Sequence, residues 1–272
     1  MIHSKKKRNM NLIIGGTILL FFLTIMVISF FYTPYDVNKI QVANKLQPPS
    51  SAHWLGTDKF GRDTLSRIMT GTQTAFFVGA VVVVIGLFFG SIIGGLAGYL
   101  GGWFDEIVMR FIDALMAFPG IILAIMIVAV FGTGITDTAL ALGVLATPSI
   151  ARIVRSGFMQ NKDLDYVVAA RSIGVSPLRI IFKVIMPNIY SQLIVAGSVA
   201  FAGALLAESS LSYLGLGVQP PDPSLGRMLS ESQEYITDDP WYALAPGLTI
   251  TFIVLGFYML SNGLRELTDR RS

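Results

Sequence analysis

The feature that most constrains this chain is a succession of apolar stretches, each about as long as a helix needs to cross a bilayer. They run from about residue 12 to 31, 76 to 100, 107 to 131, 135 to 153, 188 to 206 and 243 to 264. Lipid offers no partner for a backbone N–H or C=O, so such stretches fold as helices that satisfy their own backbone. The expectation is therefore an all-α polytopic membrane protein with six transmembrane helices. Composition agrees: 53% of residues are hydrophobic and only 14% charged, which excludes an ordinary soluble domain. With no cysteine, disulfides and thiolate metal sites are excluded, and His3 and His53 are the only imidazoles. The first stretch is too long for a signal-peptide core and lacks a small-residue cleavage site after Phe30-Phe31-Tyr32-Thr33-Pro34, so it reads as a retained span.

Six spans leave both termini on one side. Fourteen Lys and Arg fall on that side, including Lys5-Lys6-Lys7-Arg8, Arg110, the loop after the fourth span, Arg265, Arg270 and Arg271. Six, namely Lys39, Lys45, Lys59, Arg62, Arg67 and Arg227, fall on the other. The positive-inside rule places both termini and the central loop in the cytoplasm. The chain then divides into a part at 1–71 (cytoplasmic tail, first span, external interfacial segment), a five-helix core at 72–266 and a cytoplasmic tail at 267–272. The core carries a cytoplasmic loop at 158–187 and an external loop at 208–242.

One stretch does not belong in lipid. Residues 163–187 carry Asp163, Asp165, Arg171, Arg179 and Lys183. They read as two short helices, the first capped by Asp163 and ended by a left-handed Gly174, the second opened by Ser176-Pro177. Leu178, Ile181, Phe182 and Ile185 fall at i, i+3, i+4, i+7, predicting one apolar face with Arg179 and Lys183 beside it. A new helix is expected at Pro187, which has no N–H to donate. A charged helix-turn-helix between spans is either a connector lying on the lipid surface or a docking element for a cytoplasmic partner.

Elsewhere, Gly86, Gly90, Gly94, Gly98 and Gly102 recur every four residues, a ridge that lets a helix of this chain or of a partner come close. Ala196, Ala200 and Ala204 repeat the theme. Arg110 and Asp113 are spaced to pair at i, i+3, Asp63 and Arg67 at i, i+4 on an external interfacial helix, and Pro119 should kink the third span. Glu208 lies 21 residues past Pro187. At about 1.5 Å each this is roughly 31 Å, close to the hydrocarbon thickness. Glu208 is thus expected at the outer boundary, either as a residue that simply reaches the interface or as a gate that holds the Gly- and Pro-rich loop after it shut by pairing with Arg227, Arg62 or Arg67. Ser209 and Ser212 beside it, and Asp113 in the third span, complete the polar candidates for a gate or path.

Val168-Ala169-Ala170, Gly174 and Val184-Ile185-Met186-Pro187 keep the spacing of the EAA loop of ATP-binding-cassette importer permeases, with Val168 where that family has Glu. The segments from Leu55 to Asp63, Glu208 to Pro221 and Gly101 to Pro119, and Gly263-Leu264-Arg265, also resemble the C-type permease subunit of the dipeptide, oligopeptide and nickel branch. The resemblance implies a type I importer permease with a coupling helix between spans four and five, in a bacterial cytoplasmic membrane. It implies a second permease in a heterodimer, two ATPase subunits that hold ATP and Mg, and an external or periplasmic substrate-binding protein. Ala169, Ala170, Arg171, Gly174, Pro177, Leu178 and Pro187 would couple to the ATPase. Short peptides, nickel and metal chelates stay open as substrates. The chain itself has no GxxxxGK[ST] loop, no HExxH and no Ser/His/Asp grouping, so neither catalytic residues, a metal site nor a cofactor of its own is expected. An intramembrane enzyme would have only Asp113 and Glu208 to work with. A stand-alone secondary transporter or channel should show inverted repeats or a file of buried charges, and neither is seen.

Overall fold

The structure, a computed structural model, describes residues 9–269, with side chains to 267. His3, the basic run Lys5–Arg8, Arg270 and Arg271 lie outside the described residues. Helix α1 (Met10–Ser29) leads through an irregular cap, residues 30–63, into α2 (Thr64–Leu100). Then follow α3 (Gly102–Met116), α4 (Gly120–Phe131), α5 (Ile135–Asn161), α6 (Asp165–Ser172), α7 (Pro177–Arg179), α8 (Tyr190–Tyr213), α9 (Leu225–Ser232) and α10 (Pro240–Asp269). Among the described residues five helices are long and apolar enough to cross a membrane, or six if α3 and α4, bent 91° at Pro119, count as one span. Pro119 breaks the helix outright, since it is the residue that caps α4.

The glycine ridge faces a helix of its own chain. A Cβ on Gly86 would stand 2.7 Å from Ile150 Cδ1, one on Gly90 2.7 Å from Ile150 Cγ2, and one on Gly98 2.8 Å from the Arg155 carbonyl, while one on Gly94 would strike the Ala151 carbonyl. Bare backbone on α2 thus lets α5 seat Ile150, Ala151, Val154 and Phe158, each at most 1% exposed. Gly102 is not part of the ridge: it starts α3 at φ +60° in open space. The same logic docks α1 on α10, where Gly15 meets Gly256 and Met259, and Asn9 Nδ2 donates to the Gly263 carbonyl at 2.7 Å.

Several local pairings differ from the sequence reading. Asp63 does not start a separate interfacial helix; it caps α2 directly, accepting from Ser66 N (2.8 Å) and Ser66 Oγ (2.7 Å), and leaves Arg67 to Asp58. Asp163 does not cap α6, whose N-terminal flanking residue is Leu164. Arg110 sits 3.8 Å from Glu106, one turn back, and Asp113 receives Arg152 from α5 at 2.6 Å. Residues i and i+3 share a helix face, but Arg110 turns to the i−4 residue on its own helix and Asp113 to a cation on α5.

After α7 the backbone widens into a π turn (Ile180–Ile185) and tightens into a 3₁₀ turn (Met186–Ile189) before α8. Pro187 has no N–H to return to Lys183, so regular α-helical bonding cannot continue there, and no fresh α-helix starts at that residue. The wider turn re-aims the side chains. Ile180, Ile181 and Ile185 are buried against Phe158 and Val167, whereas Leu178 and Phe182, expected on the same face, stand 63% and 49% exposed.

Candidate functional site

Two polar or unpartnered regions sit at opposite ends of the bundle. The first is built on the last two turns of α8. Glu208 is 1% exposed. Ser212 Oγ donates to its Oε1 at 2.7 Å, Ser224 Oγ to the same oxygen at 2.9 Å, and Ser209 Oγ lies 3.5 Å from Oε2. Ser212 Oγ in turn accepts from Val218 N at 3.1 Å, and Ser224 caps α9. Thr74 Oγ1 donates to the Pro223 carbonyl at 3.1 Å, and Gly226 lies so close to the Ser209 backbone that a Cβ there would overlap it. The Gly- and Pro-rich segment from Leu214 to Ser224 is thereby sewn onto α8 and α2, with the Glu208 carboxyl group as the shared acceptor.

The expected ion pair is absent among the described residues. Arg62 binds Asp58 (2.5 Å) and Glu231 (3.5 Å), Arg67 lies 3.6 Å from Asp58, and Arg227 binds Glu231 at 3.3 Å. These pairs tie the cap to α9 and α10, with Tyr242 Oη 3.3 Å from Glu231. Burial of Glu208 is compensated by hydroxyl donors rather than by a cation. Glu208 is enclosed by protein. Asp113 is not brought to this site, for its side chain is 61% exposed and belongs to the α3–α5 contact with Arg152. Sequence reasoning missed Ser224, Asp58 and Glu231. Ser224-Leu225-Gly226 does carry a helix-capping signal, but nothing in it points to Glu208.

The cap adds a further buried pair, His53 Nδ1 to Asp63 Oδ1 at 2.8 Å, with the His53 ring 4.6 Å from that of Tyr35. Just before α10, Asp239 is buried with Oδ2 unpartnered and Oδ1 accepting from Trp241 N at 3.2 Å. Desolvation raises its pKa above the ordinary carboxylate value.

The second region is the connector between α5 and α8. Its root is buried: Val167, Ile180, Ile181 and Ile185 pack on Phe158, Ile181 reaches Gly95 of α2, and Ile189 reaches Gly157 of α5. Its outer surface is exposed among the described residues. Val168 (46% exposed), Ile173 (81%), Leu178 and Phe182 present apolar side chains to the outside. Gly174 has φ +78° and open space around it, as its role in ending α6 requires. Pro177 is at the first position of α7. Ala169, Pro177 and Pro187 are exposed and Ala170 half-buried, and the Arg171 guanidinium lies 5.7 Å from the centre of the Tyr99 ring. The arrangement is a rigidly rooted knob with an apolar crown.

Residues 86–272 match the family model described as binding-protein-dependent transport system inner membrane component. Among similar proteins, the dipeptide transport system permease protein DppC of Alkalihalophilus pseudofirmus is 38% identical over 97% of this chain and 86% of its own length. The glutathione transport system permease protein GsiD of Pectobacterium atrosepticum is 41% identical over 92% and 84%. A chain of the MetNI methionine ABC transporter, solved in inward-facing conformations, shares the fold with TM-score 0.61 at 17% identity, over 74% of this chain and 95% of that one. On the extent of the family match and of these two relatives, the chain belongs to the binding-protein-dependent transport system inner membrane components.

Proposed function

We propose that this chain is one of two permease subunits of an ATP-driven importer of short peptides. The observation that carries the reading is the connector, an exposed apolar crown on a root packed into both α2 and α5. Two ATPase subunits hold ATP and Mg, and one of them seats the crown through Ala169, Ala170, Arg171, Gly174, Pro177, Leu178 and Pro187. Closure of the ATPases moves the connector as a lever. Contacts of Ile181 with Gly95 and of Ile189 with Gly157 pass that motion into the spans, which alternate between inward and outward openings. Glu208, Ser209, Ser212 and Ser224 form the outer lock that yields as the path opens. Substrate arrives from a separate binding protein, and the second permease completes the path.

In this reading the connector and both termini face the cytoplasm of a bacterial cell, residues 72–266 form the permease core and the cap within 1–71 faces outward. Relatives named for dipeptide and glutathione transport favour peptides over nickel or metal chelates. The test is reconstitution with the neighbouring permease, ATPases and binding protein in vesicles. Labelled dipeptide, glutathione and a nickel chelate are offered separately, with and without ATP. ATP-dependent entry of a peptide is expected. Entry driven by an ion gradient without the ATPases would make the chain a secondary transporter instead.

A further inference from the structure

Beside the Glu208 lock lies a cleft of about 300 Å³ lined by Lys59, Ser212, Gly215, Arg227, Glu231 and Glu234. Its charges are of both signs and are not all neutralised. Glu231 is fully engaged, taking Arg227 Nε at 3.3 Å, Arg62 at 3.5 Å and Tyr242 Oη at 3.3 Å. It therefore holds the Arg227 guanidinium in place rather than serving a ligand. Lys59 and Glu234, by contrast, lie within 4 Å of no opposite charge among the described residues. They share one small concavity yet do not pair with each other.

We infer that this cleft binds the two charged ends of the peptide in transit, Lys59 and Arg227 taking its carboxylate and Glu234 its ammonium group. Three observations agree on that ligand class. Arg227 and Glu234 are seven residues apart along α9 and the 3₁₀ turn (Gln233–Tyr235) that continues it. At helical rise this is about 10 Å. Two or three extended residues span about 7–10 Å, so a di- or tripeptide places its termini at matching separation. The volume is at the lower end of small-ligand sites, roughly 300–1,000 Å³, in keeping with a ligand of di- or tripeptide size. Finally, the cleft is walled in part by Ser212, whose buried hydroxyl donates to Glu208 Oε1 at 2.7 Å, so an occupant sits beside the lock. Charged side chains on a flat docking surface for a protein would need neither the concavity nor the contact with Ser212.

The inference rests on the peptide-import reading, and the experiment separates the two. The assembled transporter in nanodiscs, without binding protein, is titrated with L-alanyl-L-alanine, its N-acetyl form and its C-terminal amide, following bound peptide by saturation-transfer NMR. Glu234→Gln should weaken the free dipeptide about tenfold, the loss of one charge-assisted hydrogen bond, and leave the N-acetyl form unchanged. Lys59→Gln should weaken the free dipeptide similarly and leave the amide unchanged. Both substitutions keep side-chain size on accessible residues, and co-purification of the ATPases reports that the complex has folded. Equal losses for all three peptides, no loss for any, or no binding of the free dipeptide would overturn the inference. So would variants that lose capture of the binding protein while still binding peptide, which would make the cleft a docking surface. Failure of the parent transporter to import dipeptide would instead defeat the peptide-import reading.

Discussion

Glu208 is buried and its carboxyl group is met by serine hydroxyls, and this sets what its replacement does. Glu208→Gln keeps an oxygen for Ser212 and Ser224 but replaces the oxygen facing Ser209 with an NH2 group and weakens the acceptor the two hydroxyls share, so the lock loosens. Peptide uptake at matched expression should fall while co-purification of the complex persists. Charge reversal at Arg62, Arg67 or Arg227 should not restore it, because each is committed to Asp58 or Glu231. Ser224→Ala removes both a donor to Glu208 and the cap of α9, and should cost about 2 kcal/mol in thermal unfolding of the outer segment. Asp239 gives a pH signature. Its pKa is raised on folding, so the native state holds the proton more tightly than the unfolded chain, and stability falls as pH rises through the folded pKa. Asp239→Asn keeps the acceptor for Trp241 N and removes that dependence. The variant should melt above the parent at pH 8, and the difference should shrink toward pH 4, measured by scanning fluorimetry.

At the scale of elements, α2 against α5 is the contact that tolerates least. A Gly94→Val side chain runs into the Ala151 backbone and Val154 Cβ, and overpacking of this kind costs about 1–3 kcal/mol or more. Sharply reduced yield of folded protein is expected on size-exclusion chromatography. Gly174→Val is different, since nothing lies within 4 Å and only the φ of +78° resists it. Insertion should be normal, with weakened ATPase association or hydrolysis uncoupled from uptake; full uptake by a well-expressed variant would count against a coupling role. The left-handed Gly174 and the Pro177 start were legible because each is a local conformational preference. The apolar face was misread because Pro187 disturbs the helical period, so Leu178 and Phe182 form the exposed crown while Ile180 joins the buried set.

For the whole molecule the expectation is division of labour. The isolated chain should hydrolyse no ATP, and activity should appear only with the ATPase subunits present. Turnover by the purified chain, surviving removal of contaminants, would end the permease reading. In the proposed reading the two ends divide the work: the crown on the connector takes force into the bundle, and the lock with its mixed-charge cleft at the far end meets the cargo.

Taken alone, the sequence determined the positions of the apolar runs, the all-α class and the glycine ridge, because hydropathy over about twenty residues and a four-residue period are local properties. Tertiary structure decided which helix covers the ridge, that Glu208 is served by hydroxyls, and that Arg62 turns to Glu231, 169 residues away. Charge and spacing say what a side chain needs, but several partners satisfy that need equally. Only the packing of α8, α9 and the cap selects among them, by excluding water and bringing one donor within reach before the others.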